Sequence, residues 1–235
     1  RSAGRVDVEA RGEGGAGWSV EAEVFRSVGA RRGAAKRRAD VSVLDTTAHL
    51  ASMGDAYRHP GPVARLGFRL DDVRPWSHED PHLGRVDVRL LDPDGVVREV
   101  VRIPVGFRRV EVGERELRLN GVVVPIAGVN RHDHDPATGK VMPAQQLRAE
   151  AAAIKAAGFN ALRTAHYPPE GALLDACDEI GLWVICEANV ESHARWRQLN
   201  DEPAFQQASV GRAQRMAVVH GNHPSVMSWS LGNES

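Results

Sequence analysis

Cysteine is nearly absent from this chain, with two residues in 235, Cys177 and Cys186. Both fall inside apolar segments, so a disulfide framework is excluded and a reducing, cytoplasmic setting is the expectation. Long apolar runs are missing too. No stretch of about 18 apolar residues occurs, so no membrane-spanning helix is predicted, and the first residues lack the apolar core of a secretory signal. Net charge is equally scarce, −1 from 30 basic and 31 acidic residues. No global field therefore favours nucleic acid or an anionic membrane as a partner. Aromatic residues make up only 5%, and that decides one local case. Arg31-Arg32 and Lys36-Arg37-Arg38 form a basic cluster, but no aromatic side chains are interleaved for stacking on bases, so a solvated hairpin loop is expected there.

What is present is a core-forming chain, 42% hydrophobic, with two different periodicities. Residues 1–112 read as all-β. Trp18, Val20, Ala22 and Val24 alternate with polar residues, as do Val86, Val88 and Leu90, which is the pattern of half-buried strands. The second set runs into Asp92-Pro93-Asp94-Gly95, a turn sequence, and 96–105 is the returning strand. Short strands separated by turns predict an immunoglobulin-like antiparallel sandwich. A hairpin follows, turning at Asn120-Gly121 and leading into 122–129, read as the first strand of a new domain over 113–235.

In that second domain strands and helices alternate. Helix 143–157 places Leu147, Ala151 and Ile154 on one face, and strand 160–163 follows. Helix 170–180 comes after two prolines and stops at Gly181, and strand 182–187 follows. The third helix opens at Asp201-Glu202-Pro203 with acidic residues at its positive end and closes near His220-Gly221. The last strand ends in Leu231-Gly232-Asn233-Glu234-Ser235. Repeated β-α units imply a parallel sheet, and four strands are half of an eight-fold (β/α)8 TIM barrel.

Each strand-to-helix junction carries polar residues that a core would exclude: Asn130 to His134, Arg163 to Tyr167, Glu187 to His193, and Asn233-Glu234. In a barrel all four junctions face one end, where catalysis is kept. Glu191 and His193, two apart on an extended segment, would point the same way, about 6–7 Å apart. With a third carboxylate they suit a divalent cation that keeps several waters. The spacing of His132-Asp133-His134 equally has the form of a zinc pair, as in a barrel metallohydrolase.

The strings Asn222-His223-Pro224-Ser225-Val226 and Trp229-Ser230-Leu231-Gly232-Asn233-Glu234-Ser235 resemble the acid/base strand of the family 2 glycoside hydrolases, and among them the β-galactosidases. Gly128-Val129-Asn130-Arg131-His132, Arg163-Thr164-Ala165-His166-Tyr167-Pro168 and Glu191-Ser192-His193 resemble the same family. So does Pro75-Trp76-Ser77 to Pro81-His82-Leu83, although Gly84 stands where an aromatic residue is usual. The resemblance implies retaining hydrolysis of β-galactosides such as lactose. It implies that Glu234 is the catalytic acid/base, that His132, Arg163, His166 and Asn233 bind or shape the sugar site, and that Glu191, His193 and Glu234 hold Mg²⁺. It places the nucleophile beyond Ser235, in a parent that is a homo-oligomer. The family's Asp-Glu at the end of strand three is Cys186-Glu187 here. A β-glucuronidase or β-mannosidase of the same family and a non-catalytic carbohydrate-binding remnant are the remaining alternatives. A half barrel leaves strand edges unpaired, so dimerisation or poor solubility is expected of these residues alone.

Overall fold

The alternating strands of the N-terminal part need a shared interior, and they find it between two antiparallel sheets. A computed structural model describes residues 3–11, 17–43, 62–195, 199 and 201–234; Ser235, the last residue of the closing motif, lies outside them. The first sheet contains β1 (Gly4–Arg11), β4 (Ser42–Val43) and β5 (Pro62–Leu70) in the order β1-β5-β4. The second contains β2 (Ser19–Phe25), β3 (Ala35–Asp40), β6 (Gly84–Leu91) and β7 (Val97–Val105) in the order β3-β2-β6-β7. Val20, Ala22, Val24 and Val86 on one sheet and Ala64, Leu66, Phe68 and Leu70 on the other are buried, the interior of a sandwich.

Local chemistry fixes the joints. Asp92 Oδ1 accepts from the backbone N–H groups of Asp94 (3.0 Å) and Val96 (2.8 Å), so the turn between β6 and β7 is held by its first residue. The Val96 N–H contributes most to holding the Asp92 carboxyl below the usual carboxylate range. Gly84 departs from the family string for a steric reason, since a Cβ there would lie 2.7 Å from the carbonyl oxygen of Phe25.

The chain divides into two compact units, one made of residues up to Arg74 with Leu83–Val105, the other of Pro75–His82 with everything from Gly106. The sequence divides the chain at 112/113. The structural units meet at 105/106, and the segment around Trp76 folds with the second. Trp76 is wholly buried there. Its indole N–H donates to the Asp178 carbonyl (2.7 Å), and its ring meets Trp183 edge-on at 4.9 Å.

The second unit opens with a three-stranded antiparallel sheet of β8 (Val110–Val112), β9 (Leu117–Leu119) and β10 (Val122–Val123). Asn120 and Gly121, at φ 50 and 86, make its turn. This corrects the reading of 122–129 as one barrel strand. Val122 and Val123 pair back onto β9, Pro125, which has no N–H to donate, interrupts the run, and the barrel strand is β11 (Gly128–Arg131). Then come α1 (Ala144–Ala156), β12 (Ala161–Thr164), α2 (Gly171–Ile180), β13 (Trp183–Glu187), α3 (Pro203–His220) and β14 (Val226–Ser230). The four strands are parallel in the order β11-β12-β13-β14. Among the described residues β11 and β14 each have one strand neighbour, so the barrel is not closed. Leu147, Leu162, Leu173, Leu174, Leu182 and Val184 form the core between sheet and helices, each worth about 1.5–3 kcal/mol in burial.

Candidate active site

Parallel strands of matched length bring their carboxyl-terminal loops to one end of the sheet, and here that end is polar. Arg163, at the end of β12, is the hub. Its Nε and Nη2 donate to the two carboxylate oxygens of Glu187 at 2.6 and 2.8 Å, and Nη2 also donates to Asn233 Oδ1 at 2.9 Å. Glu187, the last residue of β13, has a fully buried side chain. The Ser230 hydroxyl donates to it at 2.7 Å, and its own N–H donates to Thr164 Oγ1 at 3.0 Å. Its neighbour Cys186 is also buried; burial pushes that thiol up to about 12, so the position where the family has a second carboxylate is neutral.

The loop after β13 meets the end of β14 through Gly232. A Cβ on Gly232 would lie 2.5 Å from the Val190 carbonyl, so only glycine lets the two segments touch. The contact lets Asn233 N–H donate to Val190 O at 2.9 Å, and Glu191 and Asn233 form an isolated parallel bridge. The Asn233 amide donates to Glu191 Oε1 at 3.2 Å. His166 Nδ1 stands 3.6 Å from Glu191 Oε2, and the His132 and His166 rings meet edge-on at 5.0 Å.

Glu234 lies one residue beyond Asn233, with a left-handed backbone (φ 45) and an exposed carboxylate whose Oε2 is 2.5 Å from His193 Nδ1. The side-by-side arrangement of Glu191 and His193 expected from their spacing is not what forms. The chain turns at Ser192, whose carbonyl accepts from Arg195 N–H at 2.7 Å, and His193 begins a short 3₁₀ turn. Glu191 is thereby left with Asn233 and His166, while His193 reaches Glu234. Two carboxylates and an imidazole are a donor set that suits a hard divalent cation. His193 and Glu234 already lie together, and Glu191 would have to leave Asn233 to join them.

At the first junction Arg131 is buried and donates to Asp133, to Glu150 (2.9 and 2.7 Å) and to Met142 Sδ. These two carboxylates hold its guanidinium above its ordinary value against the opposing effect of burial. Asp133, the residue between His132 and His134, is therefore committed to Arg131. Among the described residues, the three-ligand group whose atoms gather within 4.8 Å is Asp175, Asp178 and His223, at the opposite end of the sheet. Sequence reasoning noted Glu187 and left it without a role; Ser230 and Thr164, which hold it, carried no signal that a strand residue would not.

The family model "Glycosyl hydrolases family 2, TIM barrel domain" matches residues 110–235, and "Glycosyl hydrolases family 2" matches 2–108. A β-galactosidase of Vibrio vulnificus (strain YJ016) is 42% identical over 170 residues, covering 72% of this chain and 16% of the relative. A β-galactosidase of Vibrio cholerae is 44% identical over 162 residues, covering 68% and 16%. The chain thus spans about a sixth of the length of these relatives. Among solved structures, a glycosyl hydrolase family 2 member from Bacteroides cellulosilyticus superposes over 99% of this chain and 29% of its own, with TM-score 0.76 at 26% identity. A β-glucuronidase from Parabacteroides merdae shares the fold over 97% and 26%, with TM-score 0.74 at 20% identity.

Proposed function

The chain belongs to the family 2 glycosyl hydrolases, and from that premise we propose that it carries the acid/base side of a β-galactosidase that hydrolyses terminal β-D-galactosides, lactose among them, with retention. The observation that carries the reading is the pairing of Asn233 with Glu191 and of Glu234 with His193 where β14 ends, with Gly232 letting the two segments touch. Glu234 protonates the glycosidic oxygen as the bond to the sugar breaks, and later takes a proton from the water that releases the sugar. A second carboxylate, about 5–5.5 Å from it in a retaining enzyme, forms the covalent intermediate; the family resemblance assigns that nucleophile to a strand beyond Ser235. Asn233 donates to the hydroxyl beside the reacting carbon, His132 and His166 contact other sugar hydroxyls, and Arg163 holds the polar groups in register. Glu191, His193 and Glu234 would hold Mg²⁺, whose charge would fix the carboxylates around the sugar.

The test uses the full-length protein with nitrophenyl β-galactoside, nitrophenyl β-glucuronide and lactose. Turnover of the galactosides is expected, and Glu234→Gln should lower kcat on lactose by about 10²–10⁴-fold. The activated aryl galactoside needs less protonation, so its loss should be smaller. Turnover of the glucuronide alone would overturn the substrate, and equal losses on both galactosides would overturn the acid role. A calorimetric Mg²⁺ titration should show binding that is lost in Glu191→Gln and His193→Ala.

A further inference from the structure

Glu187 is the most buried carboxylate at this end of the sheet among the described residues, and the mechanism leaves it without a task. We propose that Glu187 is a positioning residue which, acting through Arg163, sets the face that the Asn233 amide presents to the sugar. The inference rests on the reading of Asn233 as the donor to the hydroxyl beside the reacting carbon.

The geometry runs outward from the core. Glu187 Oε2 accepts from Arg163 Nε (2.6 Å) and from the Ser230 hydroxyl (2.7 Å), and Oε1 accepts from Arg163 Nη2 (2.8 Å). A two-point contact between two planar groups fixes the plane of the guanidinium as well as its place. The same Nη2 then donates to Asn233 Oδ1 at 2.9 Å. A guanidinium has donors and no acceptor, so only the oxygen end of the amide can face it. The flipped amide would set N–H against N–H. The Asn233 nitrogen is therefore turned away from Arg163, and its contact with Glu191 Oε1 at 3.2 Å shows it donating on that side. Without Glu187, Arg163 would keep the bond to Asn233 and a long one from Nη1 to Asn130 Oδ1 (3.4 Å), and its long side chain would have freedom to swing. Glu187 removes that freedom, itself held by Ser230 and, through its backbone, by Thr164.

The experiment compares kcat/KM of the full-length protein on a nitrophenyl β-galactoside and on its 2-deoxy counterpart. Wild type should prefer the parent substrate strongly, and Asn233→Ala should collapse that preference. Glu187→Gln should shrink it by about ten- to a hundredfold, the range of a hydrogen bond involving a charged group, with the change in kcat rather than KM. Ser230→Ala keeps the ion pair and should shift the ratio the same way by less; it carries the test if Glu187→Gln does not fold. A scaffold role would lower both substrates together, so an unchanged ratio in a folded Glu187→Gln or Ser230→Ala protein overturns the proposal. If Asn233→Ala itself leaves the preference intact, the reading beneath fails and the proposal falls with it. Asn233→Ala collapsing the preference while Glu187→Gln leaves it whole refutes the positioning role alone.

Discussion

The two ends of the four-stranded sheet use the same residue types for opposite purposes. At the amino end polar side chains bind mainly backbone. Asn160 accepts from Ala127 N–H and donates to Pro125 O, at 2.9 and 2.8 Å. Lys155 donates to the carbonyls of His78 and Gly181, both at 2.7 Å. Arg108 donates to Pro224 and Val226 carbonyls, and Asp178 accepts from Ser225 N–H at 2.9 Å and pairs with His223 at 2.6 Å. At the carboxyl end side chains bind one another, Arg163 to Glu187 and Asn233, Asn233 to Glu191, His193 to Glu234. A side chain bonded to backbone locks a turn. A side chain bonded to another exposed side chain can exchange that partner for a ligand. Composition does not separate the two cases: Asp175, Asp178 and His223 each bring a ligand atom within 4.8 Å of the others, yet Asp178 already serves His223 and the Ser225 N–H.

The contrast predicts separable losses. The largest comes from Arg163→Ala, which leaves buried Glu187 without its cation. Breaking a buried pair costs about 3–5 kcal/mol, and we expect activity to fall at least a hundredfold with it. Asp178→Ala at the other end should cost about 2–3 kcal/mol through the lost bonds to His223 and Ser225, while kcat/KM per folded molecule stays at the wild-type value. Denaturant midpoints and active-site titration on the full-length protein measure both. A tenfold loss of kcat/KM in folded Asp178→Ala would break the division between the ends.

Cys186→Asp sharpens it, because it restores the family's residue in a place this chain has made apolar. Burial already drives the Cys186 thiol up to about 12, so a carboxylate there is opposed by the same burial. We expect a loss of about 1–3 kcal/mol, the cost of a poorly paired buried polar group, with no gain in activity. An unchanged melting temperature would show that Thr164, already bonded to the thiol, can satisfy the added acid as well.

Much of this contrast was legible in the sequence, for a physical reason. Polar residues ending short apolar runs mark strand exits, so Arg163, Glu187 and Asn233-Glu234 stand out without coordinates. The misplacement of the first barrel strand came from an unbroken apolar run in which only Pro125 signals the division. Partners far apart in sequence were not legible. The turn that sends His193 to Glu234 starts at Ser192, beside the bridge from Glu191 to Asn233, 42 residues on. Trp76 joins the second unit through Asp178 and Trp183, over 100 residues away, although its own segment lies between two sandwich strands. Local pattern reports what a residue is suited for; the partner that decides its use is supplied by the fold.

The smallest predicted effect tests the amino end by pH. His220, buried at the end of α3, is held below the ordinary histidine value of 6.5, first by burial and then by the neighbouring His223. Its ring lies 6.0 Å from that of His223, which in turn faces Asp178 and Asp175. A depressed value means that the unfolded chain binds the proton more readily than the folded one. The stability tied to neutral His220 is complete above about pH 6.5 and is lost as pH falls from there toward the folded value, at up to about 1.4 kcal/mol per unit of difference. In His220→Gln this part of the acid-side decline should vanish, read as a smaller fall in melting temperature between about pH 7.5 and 5.5. The pH dependence of kcat/KM should not move with it, because His220 belongs to the end that holds the fold. A shifted activity profile in His220→Gln would mean that the two ends are coupled, and that the backbone contacts of the amino end reach the site as well.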